Sequence, residues 1–246
     1  MIPRVIHYCW FGRKPLPKSA KKCIASWKKY FPGYEIKEWN EDNYDVNINL
    51  YTRQAYEMKK YAFVSDFARF DILYREGGIY FDTDVEVIKN FDDILKNGAF
   101  MGCEIDGDDN QKFGNHVNPG LGIAVAPGLG IYKEIIDFYQ TQSFVDECGE
   151  INTETVVTKT TNVLKKYGLR NTKEIQKIEG ITIYPKEYFN PLNNNTGKLD
   201  ITENTHSIHW YSMTWLSTKD KIRNRLTRPF HRLFGNDFFY KIGLKK

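Results

Sequence analysis

The sequence predicts an α/β protein in which one mainly parallel sheet is flanked by helices. Short apolar runs, of which residues 5–8 are the first, alternate along the chain with longer stretches of helical periodicity. This alternation is typical of parallel sheets, because each helix returns the chain to the end of the sheet where the next strand begins. At 246 residues, 41% of them hydrophobic, the chain is long enough for one sizeable core.

The individual elements follow from local sequence patterns. The predicted strands cover residues 5–8, 34–39, 79–81 and 99–104 and the start of 181–191. The predicted helices are one capped by Ser19 and ended near residue 32, one over 51–75 that is interrupted near residue 60, and two over 130–139 and 153–167. Gly77 and Gly78 end the second helix. The polar segment 105–119 is predicted to be a long loop, either a lid or a disordered insert.

Asp82 and Asp84 follow the third predicted strand and are the strongest chemical signal in the sequence. Side chains two residues apart in an extended segment point the same way, so we expect the two carboxylates to converge on one ion. Divalent cations such as Mg²⁺ and Mn²⁺ prefer oxygen ligands and often share them with substrate phosphates. Trp10 and Glu104 also lie at predicted strand ends, where ligands of such sheets bind. The sequence therefore predicts a metal–diphosphate site at this edge.

The charge and cysteine content of the chain indicate its cellular compartment and the classes of molecule it can bind. The four cysteines form no Cys-x-x-Cys pair, and the chain has neither a signal-peptide pattern nor an apolar run long enough to span a membrane. We therefore expect a cytoplasmic protein. Residues 218–246 contain nine Lys or Arg and two Asp, a net charge of +7 in a chain whose total is +4. The positive charge belongs to this tail, and nucleic acid is not expected as a partner.

The tail mixes its basic residues with aromatic ones such as Phe230, Phe234 and Phe238. Basic segments with large apolar side chains bind anionic membrane surfaces. We interpret residues 218–246 either as a peripheral membrane contact or as a solvated basic helix that packs on the body of the protein.

Four blocks of residues occur in a recognisable order. They are Ile2-Pro3-x-Val5-Ile6-His7-x-x-Trp10, Ala62-x-x-Ser65-Asp66-x-x-Arg69, Gly77-Gly78-Ile79-Tyr80-x-Asp82-x-Asp84, and Ile208-His209 with Thr214-Trp215. Together they resemble the DXD-containing glycosyltransferases of family 32, which include bacterial capsular polysaccharide and lipopolysaccharide sugar transferases. The resemblance covers residues 1–217. Thr214 departs from the serine that the family often has there, but it keeps the hydroxyl.

The resemblance implies a Rossmann-like GT-A fold, with a single catalytic domain over residues 1–217 followed by the basic tail 218–246. It also implies transfer of a hexose with retention of configuration, from a nucleotide-sugar donor that is expected to be a UDP-sugar, with Mn²⁺ or Mg²⁺ as cofactor. The implied acceptor is a glycan or lipid-linked glycan of a bacterial surface polysaccharide. A membrane contact of the basic tail, at the inner face of the cell membrane, would suit such an acceptor. We favour a front-face substitution, because the sequence offers no evident carboxylate nucleophile.

The resemblance also assigns roles to residues. Asp84 is expected to coordinate the metal, Asp82 to be shared between metal and donor, and His209 to complete the metal or diphosphate site. Trp10 is expected to stack on the nucleotide base. The other donor contacts are expected from Ser65, Asp66, Arg69, Thr214 and Trp215. Asp66, Arg69, Asp82 and Asp84 are the catalytic candidates, and Glu104 and Asn118 are candidates for the acceptor site or a lid.

Several of these assignments have structural alternatives. Asp66 and Arg69 could form an ion pair on a helix surface, and His209 could belong to an ordinary strand. The apolar neighbours of Asp66 favour burial instead. His7, Trp27 and Trp39 are interpreted as core residues.

Two other classes of function remain open. Residues 79–85 also resemble the first motif of haloacid-dehalogenase-type phosphatases, in which Asp82 would be the nucleophile. The other class is a non-catalytic module that binds sugar or membrane. Phosphate release from an aryl phosphate would support the first class, and UDP binding that ignores Mn²⁺ would support the second.

Overall fold

The structure, a computed structural model, describes residues 1–107, 114–212, 226, 227 and 229. The strands are β1 (Val5–Cys9), β2 (Glu35–Trp39), β3 (Gly78–Tyr80), β4 (Val85–Val87), β5 (Ala99–Ile105), β6 (His116–Val117), β7 (Ile123–Val125), β8 (Gln176–Ile178), β9 (Ile181–Tyr184) and β10 (Ser207–His209). The helices are α1 (Lys18–Tyr30), α2 (Leu50–Glu57), α3 (Tyr61–Glu76), α4 (Asp92–Leu95), α5 (Gly130–Gln140) and α6 (Val156–Lys166). No helix in these described ranges is long and apolar enough to cross a membrane.

One eight-stranded sheet has the strand order β2-β1-β3-β7-β5-β9-β8, with β6 paired to β5 outside this path. The pairings give β1, β2, β3, β5 and β9 a common direction, while β7 and β8 run against it. The mainly parallel sheet that the sequence predicts is thereby confirmed. The reversed strand β7 was not predicted, and it separates β3 from β5. A second, two-stranded sheet consists of β4 and β10.

Each face of the main sheet has its own apolar cluster. Tyr80 of β3 belongs to the cluster that also contains Tyr51 of α2 and Phe67 of α3. Its neighbour Phe81 points to the opposite face, where its ring centroid lies 5.5 Å from that of Trp27 in α1. This alternation is the period of two that a strand with both faces covered requires. Trp27 is fully buried, as predicted for a core residue.

The turn from α3 into β3 depends on two glycines. Gly77 and Gly78 have φ values of 65° and 100°, which L-residues with a side chain rarely adopt. A Cβ added to Gly78 would lie 2.7 Å from the carbonyl oxygen of Val5. Beneath this turn, His7 accepts a hydrogen bond on Nδ1 from the Trp39 indole at 3.1 Å, and its Nε2 donates to the Gly77 carbonyl at 2.9 Å. His7 and Trp39 are thus core residues, as predicted.

The start of the first helix differs from the prediction. Helix α1 begins at Lys18 after Pro17, and no side chain caps it, so Ser19 is not the N-cap. Pro17 has φ near its fixed value, at −68°, and directs the chain into the helix without a side-chain cap.

The described part of segment 105–119 is not a single long loop. β5 extends to Ile105, and β6 pairs with it at residues 116 and 117. Asn115 is buried, and its polar groups are satisfied there: Gly107 donates to its Oδ1 at 2.7 Å, and its Nδ2 donates to the Thr172 carbonyl at 2.9 Å. At Asn115, therefore, a polar residue of this segment serves buried hydrogen bonds. The interpretation of the segment as a lid stays a prediction.

Candidate functional site

The predicted ligand-binding side chains meet at one edge of the main sheet. Trp10 follows β1, Asp82 follows β3, and Glu104 lies near the end of β5. Because these three strands share a direction, their carboxyl ends lie at the same edge. The segment that leads into the reversed strand β7 also reaches this edge, where the backbone N–H of Asp82 donates to the Gly120 carbonyl at 3.3 Å.

Asp82 and Asp84 converge as predicted, although the chain between them is not extended. They occupy a turn in which the N–H of Val85 donates to the Asp82 carbonyl at 3.0 Å. His209 joins them because β10 pairs antiparallel with β4, which sets His209 opposite Val85. One ligand atom from each of Asp82, Asp84 and His209 lies within 4.8 Å of the others. We refer to these three residues as the acidic cluster.

The carboxylate of Asp84 is fixed at both oxygens. Its Oδ1 lies 3.1 Å from Nε2 of His209, and its Oδ2 accepts hydrogen bonds from the backbone N–H of Ser212 at 2.8 Å and from the Ser212 hydroxyl at 2.9 Å. Burial acts to raise the pKa of Asp84, but His209 and the Ser212 hydrogen bonds outweigh it and lower the pKa. Asp84 is therefore ionised at neutral pH, as a metal ligand must be.

Arg69 pairs with carboxylates on two elements, Asp66 of α3 and Asp82 after β3. Its side chain is 3% exposed, and Nη2 lies 3.0 Å from Asp66 and 3.1 Å from Asp82. The guanidinium also lies over the ring of Tyr80, at 5.1 Å from the centroid, and the Tyr80 hydroxyl donates to Asp82 Oδ1 at 3.1 Å. Asp66 and Arg69 are thus not a surface ion pair on α3.

Burial perturbs the carboxylates beside Arg69. Burial raises the pKa of Asp66 to about 6, although the charges of Arg69 and Lys159 act to lower it. The pKa of Asp82 is also raised by burial and, more weakly, by the charge of Asp84, in spite of Arg69. The imidazole of His209 has a raised pKa, because Asp84 outweighs the effect of burial. The carboxylates of the site thus have few positively charged neighbours, and a bound cation would stabilise their ionised forms.

The remaining predicted residues differ in their surroundings. Trp10 is partly exposed, with its indole N–H bound to the Lys14 carbonyl at 2.5 Å. The Ser65 hydroxyl bonds to the carbonyl of Tyr61 in its own helix, at 3.2 Å. Glu104 Oε2 accepts a hydrogen bond from Asn118 Nδ2 at 2.6 Å, so these two candidates form a pair.

Several residues predicted for the C-terminal part of the site lie beyond the part of the chain that the structure describes. Thr214, Trp215 and the boundary at residue 217 lie outside the described residues, as does the tail 218–246 apart from residues 226, 227 and 229.

Four residues of the site were not predicted from the sequence. Tyr80 lies within a recognised block, and its phenol could have been proposed as a partner of Asp82. Ser212 is a hydroxyl residue three positions after His209, a weaker signal. Asn190 and Tyr211, which hydrogen bond to each other at 2.7 Å beside Glu104, gave no signal in the sequence.

The acidic cluster has the chemistry of a divalent-cation site. Two carboxylates and an imidazole suit Mn²⁺ or Mg²⁺ bound together with substrate oxygens. His209 Nδ1 is buried and has no hydrogen-bond partner within the described residues, so this nitrogen keeps its bonding capacity. A proton and a bound cation would compete for a ring nitrogen of His209, since a ligating imidazole is neutral. The residues present therefore fit a cation.

A separate cavity of about 690 Å³ opens elsewhere on the molecule. Its lining includes Ile2, Tyr34 and Ala99, which precede or begin β1, β2 and β5, so it lies at the opposite edge of the sheet. None of its lining residues belongs to the acidic cluster or is an ion-pair partner of Arg69, and we assign the cavity no part in the site.

A protein-family model matches part of this chain. Residues 17–101 match the family model described as a glycosyltransferase sugar-binding region containing a DXD motif. The matched range contains Asp66, Arg69, Asp82 and Asp84 and leaves Trp10 and His209 outside. It supports the resemblance to DXD glycosyltransferases at this coarser level.

Two curated relatives are glycosyltransferases by name. The uncharacterized glycosyltransferase L373 of Acanthamoeba polyphaga mimivirus is 34% identical over 111 residues, 41% of this chain and 43% of the relative. Inositol phosphoceramide mannosyltransferase 1 of Schizosaccharomyces pombe is 28% identical over 111 residues, 41% of this chain and 33% of the relative. The match thus spans less than half the length of either relative.

Solved structures of glycosyltransferases also align with this chain. The galactosyltransferase LgtC in complex with donor and acceptor sugar analogs is 10% identical with a TM-score of 0.48, over 92% of this chain and 95% of that one. A glycosyltransferase involved in glycosylation of the major capsid of PBCV-1 is 12% identical with a TM-score of 0.46, over 92% and 99% of the two chains.

Proposed function

We propose that this chain is a metal-dependent, retaining glycosyltransferase of the GT-A type that moves a hexose from a nucleotide-sugar, with UDP favoured, to a glycan acceptor. The observation that carries the proposal is the acidic cluster beside the buried Arg69. The DXD family match over residues 17–101 supports the same class of enzyme.

The leaving group explains why such a site needs positive charge. A nucleoside diphosphate gains negative charge as the sugar departs, and a divalent cation held by Asp82, Asp84 and His209 supplies stabilising charge without proton transfer. Arg69 provides a second positive charge, and its buried Nε has no partner among the described residues. Because a guanidinium stays protonated in proteins, this charge is present at every working pH.

The donor would bind on the side of the site that β1 and α3 form. Trp10 offers a partly exposed ring on which the nucleotide base can stack. Asp66 is held by Arg69 at 3.0 Å and, when ionised, can accept hydrogen bonds from donor-sugar hydroxyls. Ser65, Thr214 and Trp215 remain candidates for further donor contacts.

The acceptor would bind on the opposite side of the acidic cluster. β7 separates β3, which leads to Asp82, from β5, which carries Glu104. Glu104 and its partner Asn118 can therefore receive an acceptor hydroxyl beside the departing diphosphate. In a front-face substitution the acceptor oxygen would bond to the anomeric carbon on the face from which the diphosphate departs, which retains the anomeric configuration. The bond between that carbon and the diphosphate would break with its electron pair going to the diphosphate, whose oxygen would take the proton of the acceptor hydroxyl.

The family-32 resemblance gives this activity a biological setting. We propose a role in bacterial surface polysaccharide synthesis, such as capsule or lipopolysaccharide, on a glycan or lipid-linked glycan. The enzyme would work in the cytoplasm at the inner face of the cell membrane, with the basic tail 218–246 as its contact with anionic lipid.

The phosphatase alternative has less support from the contacts of Asp82. Its Oδ1 accepts hydrogen bonds from both Arg69 and Tyr80, at 3.1 Å each. These two hydrogen bonds occupy Oδ1 and make this oxygen less available to attack a phosphate. We propose instead that Asp82 orients the donor and the cation.

A donor screen tests the proposed function. Nucleotide-sugar hydrolysis and transfer are measured with Mn²⁺, with Mg²⁺ and with a chelator, and the product anomer is assigned by NMR. We expect one or two donors to be used, activity to require the metal, and Asp84→Asn to abolish it. Asp93→Asn is the matched control, because Asp93 pairs with His206 at 2.8 Å outside the acidic cluster.

Three outcomes would contradict the proposal. Unchanged turnover in Asp84→Asn would overturn the assignment of the cluster, and an inverted product would overturn retention. Release of phosphate from an aryl phosphate without any sugar transfer would favour the phosphatase.

A further inference from the structure

Tyr211 has an unusual backbone conformation two residues after His209. Its φ is 49°, in the left-handed region that a residue with a large side chain rarely adopts. Such conformations cost free energy and persist only where the surrounding contacts impose them. The contacts that hold Tyr211 therefore indicate what this turn is for.

Two contacts hold the Tyr211 side chain. Its hydroxyl accepts a hydrogen bond from Asn190 Nδ2 at 2.7 Å. Its ring packs against the imidazole of His209, with 4.3 Å between the ring centroids. The tyrosine thus connects a residue of the acidic cluster to Asn190, which lies on a different part of the chain.

Asn190 is a rigid anchor for this connection. The residue is 1% exposed, and its Nδ2 also donates to the Glu104 carbonyl near the end of β5 at 3.2 Å. Its backbone N–H donates to the Lys186 carbonyl at 2.8 Å. The amide is therefore fixed to the main sheet, and through Tyr211 it fixes the chain that follows β10.

The turn at Tyr211 brings the next residue to Asp84. Ser212 donates to Asp84 Oδ2 from its backbone N–H at 2.8 Å and from its hydroxyl at 2.9 Å. On the other side of the turn, the N–H of Trp210 donates to the Asp84 carbonyl at 3.0 Å. The segment 209–212 thus encloses Asp84, and the Asn190–Tyr211 hydrogen bond anchors this segment at Tyr211.

We infer that Asn190 and Tyr211 are positioning residues that hold Asp84 and His209 in the geometry that binds the cation. The inference rests on the proposed function, because it assigns the acidic cluster to a divalent cation. Groups that orient metal-binding side chains typically change metal affinity when they are removed. Neither residue belongs to the four sequence blocks or to the matched range 17–101.

The test measures Mn²⁺ affinity directly by isothermal titration calorimetry of the full chain with UDP present. Tyr211→Phe removes only the hydroxyl, and Asn190→Ala removes its partner. We expect each to weaken Mn²⁺ binding about 3- to 10-fold, the size expected for one buried hydrogen bond. The double variant should be no weaker than the worse single variant, since both remove the same bond. The KM for Mn²⁺ should rise by the same factor as the dissociation constant, while kcat at saturating Mn²⁺ changes less.

The chain provides a matched control for a purely structural effect. Asn97 Nδ2 donates to the Tyr184 hydroxyl at 2.9 Å, which is the same type of bond as that between Asn190 and Tyr211. Asn97 precedes β5, whereas Asn190 contacts the carboxyl end of this strand. Asn97→Ala and Tyr184→Phe should lower thermal stability without changing Mn²⁺ affinity.

The outcomes separate the inference from the proposed function. If the unmodified protein binds no Mn²⁺ in the presence of UDP, both are overturned. If it binds Mn²⁺ and the Tyr211→Phe and Asn190→Ala variants bind it equally well, only the positioning role is overturned. Equal weakening by the Asn97 and Tyr184 variants would also overturn that role. Should Asn190→Ala fail to fold, Tyr211→Phe still decides, because it keeps the ring and the backbone.

Discussion

Gly120 lies directly against the carboxylate of Asp82. A Cβ built on Gly120 would be 2.2 Å from Asp82 Oδ2, far inside van der Waals contact. The backbone of Gly120 is not in the left-handed region, so the conformation alone would tolerate alanine. The requirement for glycine at this position therefore comes from the acidic cluster, whose carboxylate fills the place of a side chain.

Gly120→Ala should displace the Asp82 carboxylate and impair the site. We expect the Mn²⁺-dependent activity to fall at least about 10-fold, because a metal-site carboxylate would lose its position. Activity is measured per folded molecule, with folding checked by circular dichroism. Gly130→Ala is the matched control, since a Cβ there meets nothing within 4 Å and its backbone is also outside the left-handed region. Full activity in Gly120→Ala would show that Asp82 has room to move without loss.

Removing Arg69 should destabilise the fold as well as the site. Asp66 and Asp82 both pair with Nη2 of this buried guanidinium, and Arg69→Met would leave them without that charge. Loss of one partner of a buried ion pair costs about 3–5 kcal/mol, so we expect the free energy of unfolding in urea to fall by that amount.

Arg75→Met on the same helix is the control for Arg69→Met. Arg75 pairs with Asp71 at 2.8 Å, but its side chain is 47% exposed, and such pairs contribute about 0–1 kcal/mol. Equal losses in the two variants would mean that the Arg69 pairs are as weak as a surface pair.

Trp10 should determine donor affinity rather than the rate of the chemical step. Stacking of an aromatic ring on a base contributes about 1–3 kcal/mol, so Trp10→Ala is expected to raise the donor KM about 5- to 150-fold with little change in kcat. Trp10→Phe should recover much of this affinity, since it keeps a ring. Tyr167→Ala is the control, because Tyr167 is an exposed aromatic residue whose hydroxyl donates to Glu134 of α5 at 2.7 Å. A drop in kcat at unchanged KM would contradict the stacking role.

The parts of the site that could be predicted are those that short-range geometry fixes. Asp66 and Arg69 are three apart on α3, and helical periodicity alone puts them on one face. Asp82 and Asp84 meet because they are two residues apart, even though the extended geometry assumed for them is a turn in the structure. Trp10 and Glu104 could be grouped with these carboxylates because the carboxyl ends of parallel strands lie at one edge of the sheet.

The parts that could not be predicted depend on long-range pairing. The 3.1 Å contact of His209 with Asp84 exists only because β10 pairs antiparallel with β4, and the resemblance, rather than any periodicity, suggested His209. The reversed strand β7 has the same short apolar composition as a parallel one. Asn190 and Tyr211 are ordinary residues in sequence, and their roles depend on a left-handed turn that favours glycine but here carries tyrosine.

Donor binding should weaken as the pH falls through the pKa of Asp66. Burial raises the pKa of this carboxyl to about 6, so acidification from pH 7 to pH 5 protonates it and removes its capacity to accept hydrogen bonds from sugar hydroxyls. Stability responds with the opposite sign. Because the folded pKa exceeds the unfolded value of about 3.9, the contribution of Asp66 to stability is full below that value and is lost as the pH rises through about 6.

The pH dependence of donor affinity in the Asp66→Asn variant decides whether this residue is the titrating group. We expect the unmodified protein to lose affinity for its donor between pH 7 and pH 5, measured by calorimetry, and Asp66→Asn to bind more weakly at pH 7 with a flatter profile. Asp71→Asn on the same helix should keep the unmodified profile, because Asp71 pairs with Arg75 at 2.8 Å and not with Arg69. An unchanged profile in Asp66→Asn would assign the titration to another group and remove Asp66 from donor recognition.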